Sequence, residues 1–156
     1  MKRKFLLLIV LSLSLLTCAC SFSIDFAIIN NSDSEIEVEY ILKAKLPALT
    51  QPPEKPWKMN ASNYNSWFSS EEWVEVADKD FNYDPNTKKV KLKLLPNEVL
   101  RLTFVFDHQV KNEDIENFPI ESVRLNGKQG EVIYQGNAFY KQFEKKNIQN
   151  YFITYK

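Results

Sequence analysis

Apolar and charged residues alternate with a period of two along much of this chain, and no other feature restricts its fold as strongly. In EIEVEYILKAKL, apolar residues stand at every second position from Ile36 to Leu46, and charged residues fill most of the positions between. KKVKLKLL repeats the pattern up to Leu94. Successive side chains of a β-strand point to opposite faces, so the pattern predicts strands with one buried and one hydrated face.

Further stretches extend this pattern over the rest of the chain. FSIDFAIIN precedes the first stretch, and the intervening NSDS supplies turn residues, which predicts a hairpin of these two strands. After a turn at Pro96-Asn97, EVLRLTFVF predicts a strand with one shared apolar face, formed by Leu100, Leu102, Phe104 and Phe106. EWVEVA, ESVRL, EVIY and NYFITYK are also typical of strands. Asn126-Gly127 predicts a tight turn.

Strands with turn signals between them, and no alternation with long helices, favour an antiparallel β-sandwich of about seven or eight strands. We expect the immunoglobulin-like class, although its cysteine and tryptophan spacing is missing, and a small barrel is the alternative. One short helix is expected near the C-terminus, in NAFYKQFEKKN, with Asn137 as its cap and Phe139 and Phe143 on one face. Residues 20–156 are expected to form a single domain.

The first residues of the chain are typical of an export signal. Three basic residues, Lys2 to Lys4, precede an apolar run from Phe5 to Leu16 that only two serines interrupt. A bilayer core needs roughly 20 apolar residues in a helix, so the run is short for a permanent span. The charged start and short apolar run together predict a cleaved signal peptide over residues 1–19.

Both cysteines of the chain lie at the end of this signal, at Cys18 and Cys20. Ala19 before Cys20 resembles the lipobox of bacterial lipoproteins, in which a small residue precedes the cysteine that becomes diacylated and then forms the new N-terminus. The resemblance covers about the first 21 residues and implies lipidation of Cys20, export, and anchoring to a membrane of the bacterial cell envelope. Incidental cysteines in a discarded peptide, or an uncleaved membrane anchor, are the alternatives.

Composition limits the partners and the source of stability. The chain has 20 basic and 20 acidic residues, and removal of the signal takes away three of the basic ones. A weakly acidic mature domain has no electrostatic footprint for nucleic acid, so no nucleic-acid partner is expected. Because no cysteine follows Cys20, the exported domain is expected to be stable without a disulfide, by apolar burial and sheet hydrogen bonds.

Candidate catalytic residues are few. His108 is the only histidine, and Asp107 precedes it, so a histidine-based mechanism would need this pair. Glu71 and Glu72 form an acid pair, but carboxylates are frequent on hydrated strand faces. The sequence therefore predicts a protein that is not an enzyme, with a hydrolase as the less favoured alternative.

One acidic stretch, DKDFNYD, resembles the first half of an EF-hand calcium loop because its oxygen-bearing residues are two apart: Asp78, Asp80, Asn82 and Asp84. Tyr83 stands where that loop needs glycine, and Lys89 stands where it needs a bidentate glutamate. We therefore expect a polar strand edge and an Asp-Pro-Asn turn here, with no metal and no cofactor.

Aromatic residues are concentrated in and after a long connection rich in proline, asparagine and serine. Its candidate ligand-binding residues are Trp57, Tyr64, Trp67 and Trp73. Connections longer than about 12 to 15 residues in a compact domain are usually functional or disordered. Val74 and Val76 are expected on the core side of their strand, which leaves Trp73 on the hydrated side. The alternative is that these aromatics fold back and cover an open end of the sandwich.

The sequence therefore predicts a lipid-anchored envelope protein whose sandwich has a non-catalytic binding or structural role, with a protein or glycan partner. A carbohydrate-binding module is the alternative, because exposed tryptophan and tyrosine rings can stack on sugars.

Overall fold

A computed structural model describes six segments of the chain, which are residues 23–43, 55–62, 73–106, 118–136, 139–146 and 150–156. Their strands form two sheets. Sheet A has six strands in the spatial order β10 (Glu144–Lys145), β11 (Asn150–Tyr155), β1 (Ser23–Asn30), β7 (Glu98–Phe106), β3 (Trp57–Asn60) and β4 (Val74–Glu75). Sheet B has five, in the order β5 (Phe81–Asp84), β6 (Lys89–Leu94), β2 (Ile36–Leu42), β8 (Ile120–Gly127) and β9 (Gly130–Gln135).

This architecture confirms the predicted all-β sandwich, with more strands than expected because several are only two to four residues long. The predicted short helix is a 3-10 helix, Phe139–Gln142, and another 3-10 helix spans Asp78–Asp80. Phe139 and Phe143 are both buried, as the four-residue spacing indicated. Within the six described segments, no helix is long and apolar enough to cross a membrane.

Two connections, one predicted as a hairpin and the other as a turn, join the two sheets. β1 belongs to sheet A and β2 to sheet B, so the chain crosses the sandwich between Asn30 and Ile36. The turn at Pro96-Asn97 likewise takes the chain from β6 in sheet B to β7 in sheet A. The predicted β1–β2 hairpin is therefore wrong, because turn residues indicate a change of direction and not which strand becomes the neighbour.

The sandwich is also not wholly antiparallel. β1 pairs with β7 in the antiparallel sense and with β11 in the parallel sense, so that Asp25 lies opposite Asn150. The other ladders in both sheets are antiparallel. Parallel neighbours need a long connection between them, and here that connection includes most of the domain.

A buried asparagine holds the crossing from β1 to β2. The Nδ2 of Asn30 donates to the carbonyl oxygens of Ser34 (2.8 Å) and Leu94 (2.9 Å). Its Oδ1 accepts from the backbone N–H (3.1 Å) and the hydroxyl (2.7 Å) of Ser32. The backbone N–H of Asn97 donates to the Asn30 carbonyl oxygen at 2.8 Å. Asn30 therefore connects both crossings between the sheets.

The core lies between the sheets and is richest in aromatic rings at the end where β1 begins. Phe26 makes edge contacts with Phe118 (4.9 Å between centroids) and Phe143 (5.2 Å), and it stacks on Tyr151. Phe118 also contacts Phe139 of the 3-10 helix at 5.2 Å. Edge and offset-stacked ring pairs add to stability beyond the burial of their area. This cluster therefore stabilises that end of the core.

A β-bulge in β7 changes which side chains face the core. Phe26 lies opposite Thr103 whereas Ala27 lies opposite Arg101, so Leu102 is the extra residue. An extra residue reverses the alternation beyond it. The predicted shared face of Leu100, Leu102 and Phe104 is therefore wrong at Phe104, which is half-buried on the other face while Val105 is buried.

The β8–β9 hairpin turns at Lys128 and Gln129, two residues later than predicted. Gly127 belongs to the ladder and lies opposite Gly130. A Cβ at Gly127 would approach the Tyr155 hydroxyl and the Ile36 Cγ2 at 2.8 Å, so glycine is needed here for close packing. The Tyr155 hydroxyl donates to the Gly130 carbonyl oxygen at 2.8 Å, which fixes this hairpin to sheet A.

The outer face of sheet B carries an ion-pair ladder. Oε1 of Glu39 in β2 pairs with Nζ of Lys89 at 2.8 Å, and its Oε2 pairs with Nζ of Lys91 at 2.9 Å. The Glu39 side chain is little exposed. Burial raises the pKa of Glu39, but the hydrogen bonds and charges of the two lysines outweigh that effect and lower the pKa overall.

Candidate functional site

A second apolar cluster lies on the outer face of sheet A, away from the main core. Its buried members are Ala27, Met59, Trp73 and Val99, and Ile29, Trp57 and Ala61 pack against them. β3 and β4 form the edge of the sheet here, because Trp57 lies opposite Arg101 on one side and Glu75 on the other. Strand pairing thus brings two of the predicted ligand-binding tryptophans to one surface, which we call the outer cluster.

An arginine organises this outer cluster. The Cζ of Arg101 lies 5.3 Å from the centroid of the Trp73 ring and 5.0 Å from that of the Phe104 ring. Its Nε donates to Oδ1 of Asp25 at 2.9 Å, and its Nη2 donates to the same oxygen. A guanidinium between two ring faces gains cation–π attraction, and the carboxylate compensates its charge.

Asp25 and Arg101 are mostly shielded from solvent, with side-chain exposures of 13% and 20%. Burial raises the pKa of the Asp25 carboxyl, and the charge and hydrogen bonds of Arg101 offset only part of that effect. The ion pair therefore fixes β1 to β7 and positions Arg101 under the indole of Trp73. The arrangement therefore holds the segment that carries Trp73 against sheet A.

The prediction for the strand around Trp73 is confirmed at Val76 and wrong at Trp73, which was expected to be hydrated, and at Val74, which was expected in the core. Trp73 is 7% exposed and belongs to the outer cluster, whereas Val74 is 64% exposed and Val76 is buried in the main core. The prediction assumed that the core between the sheets is the only apolar environment. Because sheet A has a second covered face, a side chain that points away from the core is also buried here.

Trp57 is half-buried at the margin of the outer cluster, so it has less ring surface available than a fully exposed stacking residue. Tyr64 and Trp67 lie outside the described residues, as do Glu71, Glu72, Asp107, His108 and Cys20. Among the described residues, Trp57 and Trp73 are thus the predicted ligand-binding residues that the fold brings together.

The acidic stretch from Asp78 to Asp84 forms a 3-10 helix followed by β5. Asp78 pairs with Lys55 at 2.9 Å. Asp84 accepts hydrogen bonds from the backbone N–H of Asn86 (2.9 Å) and the hydroxyl of Thr87 (2.7 Å), and these lower its pKa. Its carboxylate therefore stabilises the turn before β6. The described residues contain no group of three or more side chains arranged to hold a metal ion.

Sequence reasoning missed Asp25 and Arg101, the polar centre of the outer cluster. Each is the only charged residue within an otherwise apolar strand segment, FSIDFAII in one case and VLRLTFVF in the other. Charged residues are rarely buried unless they are paired, and these two have opposite signs. Single charges of opposite sign in two otherwise apolar strand segments were the signal that could have suggested the pair.

A different surface lies at the free edge of sheet B. β9 pairs with β8 on one side only and is the terminal strand of its sheet among the described residues. All of its residues except Tyr134 are exposed, including Val132 (40%) and Ile133 (45%). Edge strands are commonly protected by lysine, proline or a bulge, and β9 contains neither lysine nor proline. The β9 edge is therefore suited to receive another strand.

Comparisons with protein-family models, curated proteins and solved structures found no match for this chain.

Proposed function

We propose that the mature chain is a non-catalytic binding protein of the bacterial cell envelope, anchored through lipid on Cys20, and that the β9 edge receives an extended segment of a protein partner. The exposure of an apolar edge strand carries the proposal. Strand addition to a free sheet edge provides main-chain hydrogen bonds, and side chains on alternate faces provide specificity. Val132 and Ile133 offer one apolar side chain to each face of the joined sheet.

The short distance between Cys20 and the first strand supports anchoring at the membrane. β1 begins at Ser23, three residues after Cys20. An extended chain spans at most about 3.6 Å per residue, so this connection reaches about 11 Å. Two acyl chains, as in the diacylglyceride that the lipobox resemblance implies, suffice for stable anchoring, whereas one chain holds a protein only marginally. The partner would then also lie close to a membrane.

The burial of Trp73 supports a protein partner over the carbohydrate-binding alternative. A sugar-binding surface of stacking platforms needs exposed ring faces, and the Trp73 ring lies inside the outer cluster with Arg101 against it. The same contact gives the Asp25–Arg101 pair a structural role beside this ring.

We also propose the immunoglobulin-like class for the sandwich. Two facing sheets, with crossings between them after β1 and after β6, support this assignment. The parallel pairing of β1 with β11 departs from the purely antiparallel sheets of that class, and a disulfide between the sheets is replaced here by apolar packing.

The anchor is tested by fractionation of the wild type, Cys18→Ser and Cys20→Ser in a bacterial host, with mass spectrometry of the mature N-terminus. We expect diacylated Cys20 in the wild type and in Cys18→Ser, and no acylated N-terminus in Cys20→Ser. Unmodified Cys20 in correctly exported wild type would exclude the anchor.

Partner binding at the β9 edge is tested with a photoreactive side chain at Ile133, crosslinked in the native envelope, and with the same side chain at Lys128 as the control. Val132→Lys is the matched blocking variant, because a lysine on an edge strand opposes strand addition. We expect a discrete crosslinked species from Ile133 that is lost in Val132→Lys. Equal crosslinking from both positions, unaffected by Val132→Lys, would refute binding at this edge.

A further inference from the structure

We infer that one edge of the sandwich, formed by Lys141, Lys145 and Lys146, lies against the anionic headgroups of the bilayer that holds the lipid on Cys20. We call these three residues the lysine edge. The inference rests on the proposed lipid anchor and adds to it the face of the domain that meets the membrane.

The position of the lysine edge follows from strand register. Asn30 and Ile36 mark one end of the sandwich, so Ser23 lies at the other end, which we call the anchor end. Lys145 lies opposite Tyr151, and Tyr151 lies opposite Phe26 of β1. Lys145 and Lys146 are therefore only a few residues' length above the start of β1, and the 3-10 helix that carries Lys141 directly precedes β10 along the chain.

The lateral distance is also short. β10 is separated from β1 by β11 alone. Neighbouring strands lie about 4.8 Å apart, so β10 is about 10 Å from the strand that continues from the anchor. The backbone N–H of Lys146 donates to the Asn150 carbonyl oxygen at 2.9 Å, which keeps the end of β10 at this level. An anchor on Cys20 thus brings these side chains within reach of a headgroup layer.

The chemistry of the edge suits an anionic interface. All three lysines are exposed, and the described residues place no carboxylate within ion-pair distance of Lys141 or Lys145. Each ammonium lies near an aromatic ring: Lys141 is 5.9 Å from Tyr140, Lys145 is 5.9 Å from Tyr151, and Lys146 is 5.5 Å from Phe152. Half-buried tyrosines beside lysines are the amphipathic combination found at membrane surfaces.

Glu144 is the described carboxylate within this edge, and it is exposed between the lysines. The mature domain as a whole is weakly acidic, so its net charge alone predicts repulsion from an anionic bilayer. Attraction to anionic lipid would therefore identify a local basic surface. Each lysine near an anionic surface strengthens the attraction, and three together shift the docked population on the order of 100-fold at low salt.

The test uses the full lipidated protein, purified from a bacterial host and reconstituted in vesicles with or without anionic phospholipid. The mature chain has no cysteine besides Cys20, so a single introduced cysteine can carry one fluorophore. Gln135→Cys places the fluorophore at the anchor end of β9, next to the 3-10 helix that carries Lys141, and Gln129→Cys places it in the β8–β9 turn at the opposite end. A headgroup-linked quencher then reports which end lies at the membrane.

Two sets of three substitutions with equal change of charge decide the result. One replaces Lys141, Lys145 and Lys146 with glutamine. The control set does the same at Lys79, Lys128 and Lys156, which are exposed elsewhere. We expect stronger quenching at Gln135→Cys than at Gln129→Cys in anionic vesicles, loss of that contrast in the lysine-edge variant and in high salt, and retention of it in the control variant.

A contrast that is the same in anionic and zwitterionic vesicles, or that survives replacement of the lysine edge, would overturn the inference. Mass spectrometry of each sample separates this outcome from failure of the anchor, because an unacylated N-terminus would refute the proposed lipidation whatever the quenching shows.

Discussion

Replacement of Asn30 by alanine should destabilise the domain strongly, because this side chain is the centre of a buried polar network. Four side-chain hydrogen bonds are lost, of which three are buried. A protein hydrogen bond contributes about 1 kcal/mol net, and a buried group left unpaired costs about 1–3 kcal/mol. We therefore expect Asn30→Ala to lower the free energy of unfolding by about 3 kcal/mol, or the melting temperature by roughly 10 °C.

The matched control is Asn31→Ala at the next position, which is exposed and whose hydrogen bond among the described residues is from its backbone N–H to the Tyr155 carbonyl oxygen. Surface substitutions of this kind usually change stability by less than about 0.5 kcal/mol. Both variants are measured by urea unfolding with tryptophan fluorescence and by thermal unfolding. A loss below about 1 kcal/mol in Asn30→Ala, or an equal loss in Asn31→Ala, would refute the argument that this buried network joins the two crossings.

Asn30→Asp tests the same network through pH. An ionised carboxylate at this position would face the carbonyl oxygens of Ser34 and Leu94, whereas the protonated acid can donate to one of them. Its pKa in the folded state should therefore be raised above the unfolded value of about 3.9. A raised pKa of an acid means that stability is lost as pH rises. We expect the free energy of unfolding of Asn30→Asp to approach that of the wild type at acid pH and to be lowest relative to it at neutral pH.

Gly127→Ala should cost about 1–3 kcal/mol, measured by urea unfolding, because its Cβ would meet the Tyr155 hydroxyl at 2.8 Å; an unchanged midpoint would show that the neighbours move aside at no cost. Trp73→Ala should lower the free energy of unfolding by about 3 kcal/mol because the indole packs in the outer cluster. An unchanged stability would show that the ring is exposed to solvent. Glu39→Gln should destabilise the domain at neutral pH, and its stability should converge with that of the wild type in acid. The lowered pKa of Glu39 means that its contribution to stability is lost as the pH falls through that pKa. A stability difference that persists at low pH would show that packing, and not charge, is its cause. Millimolar calcium should leave the melting temperature unchanged, and a clear rise would reveal a site in the acidic stretch.

Sequence reasoning succeeded for strands whose side chains have only two environments, the core between the sheets and water. In β2 and β6, one face meets the core and the other meets water, so Ile36, Val38 and Leu92 could be assigned to the inside from their spacing alone. The alternation arises from geometry within the strand and needs no knowledge of its neighbours. The same reasoning failed at Phe104, because the bulge at Leu102 is a property of the pairing with β1.

The candidate sites depended on contacts that sequence spacing does not encode. Trp57 and Trp73 were identified from their residue type, but their common surface arises because β3 pairs with β7 and β4 pairs with β3. The opposite charges of Asp25 and Arg101 were visible, whereas their contact depends on a pairing between strands 76 positions apart. Local pattern therefore predicted strands and faces, and the long-range pairing decided which residues meet.

The parallel ladder between β1 and β11 affects the order in which this domain can fold. Asp25 and Asn150 are 125 positions apart, so β1 gains this neighbour only after the intervening residues have been synthesised. Until then one side of β1 offers unpaired amide and carbonyl groups to any passing strand. Long-range contacts of this kind slow folding, since a large loop must close before they form. Until β11 arrives, β1 is thus an open edge of the folding domain, and its pairing with β11 completes this side of sheet A.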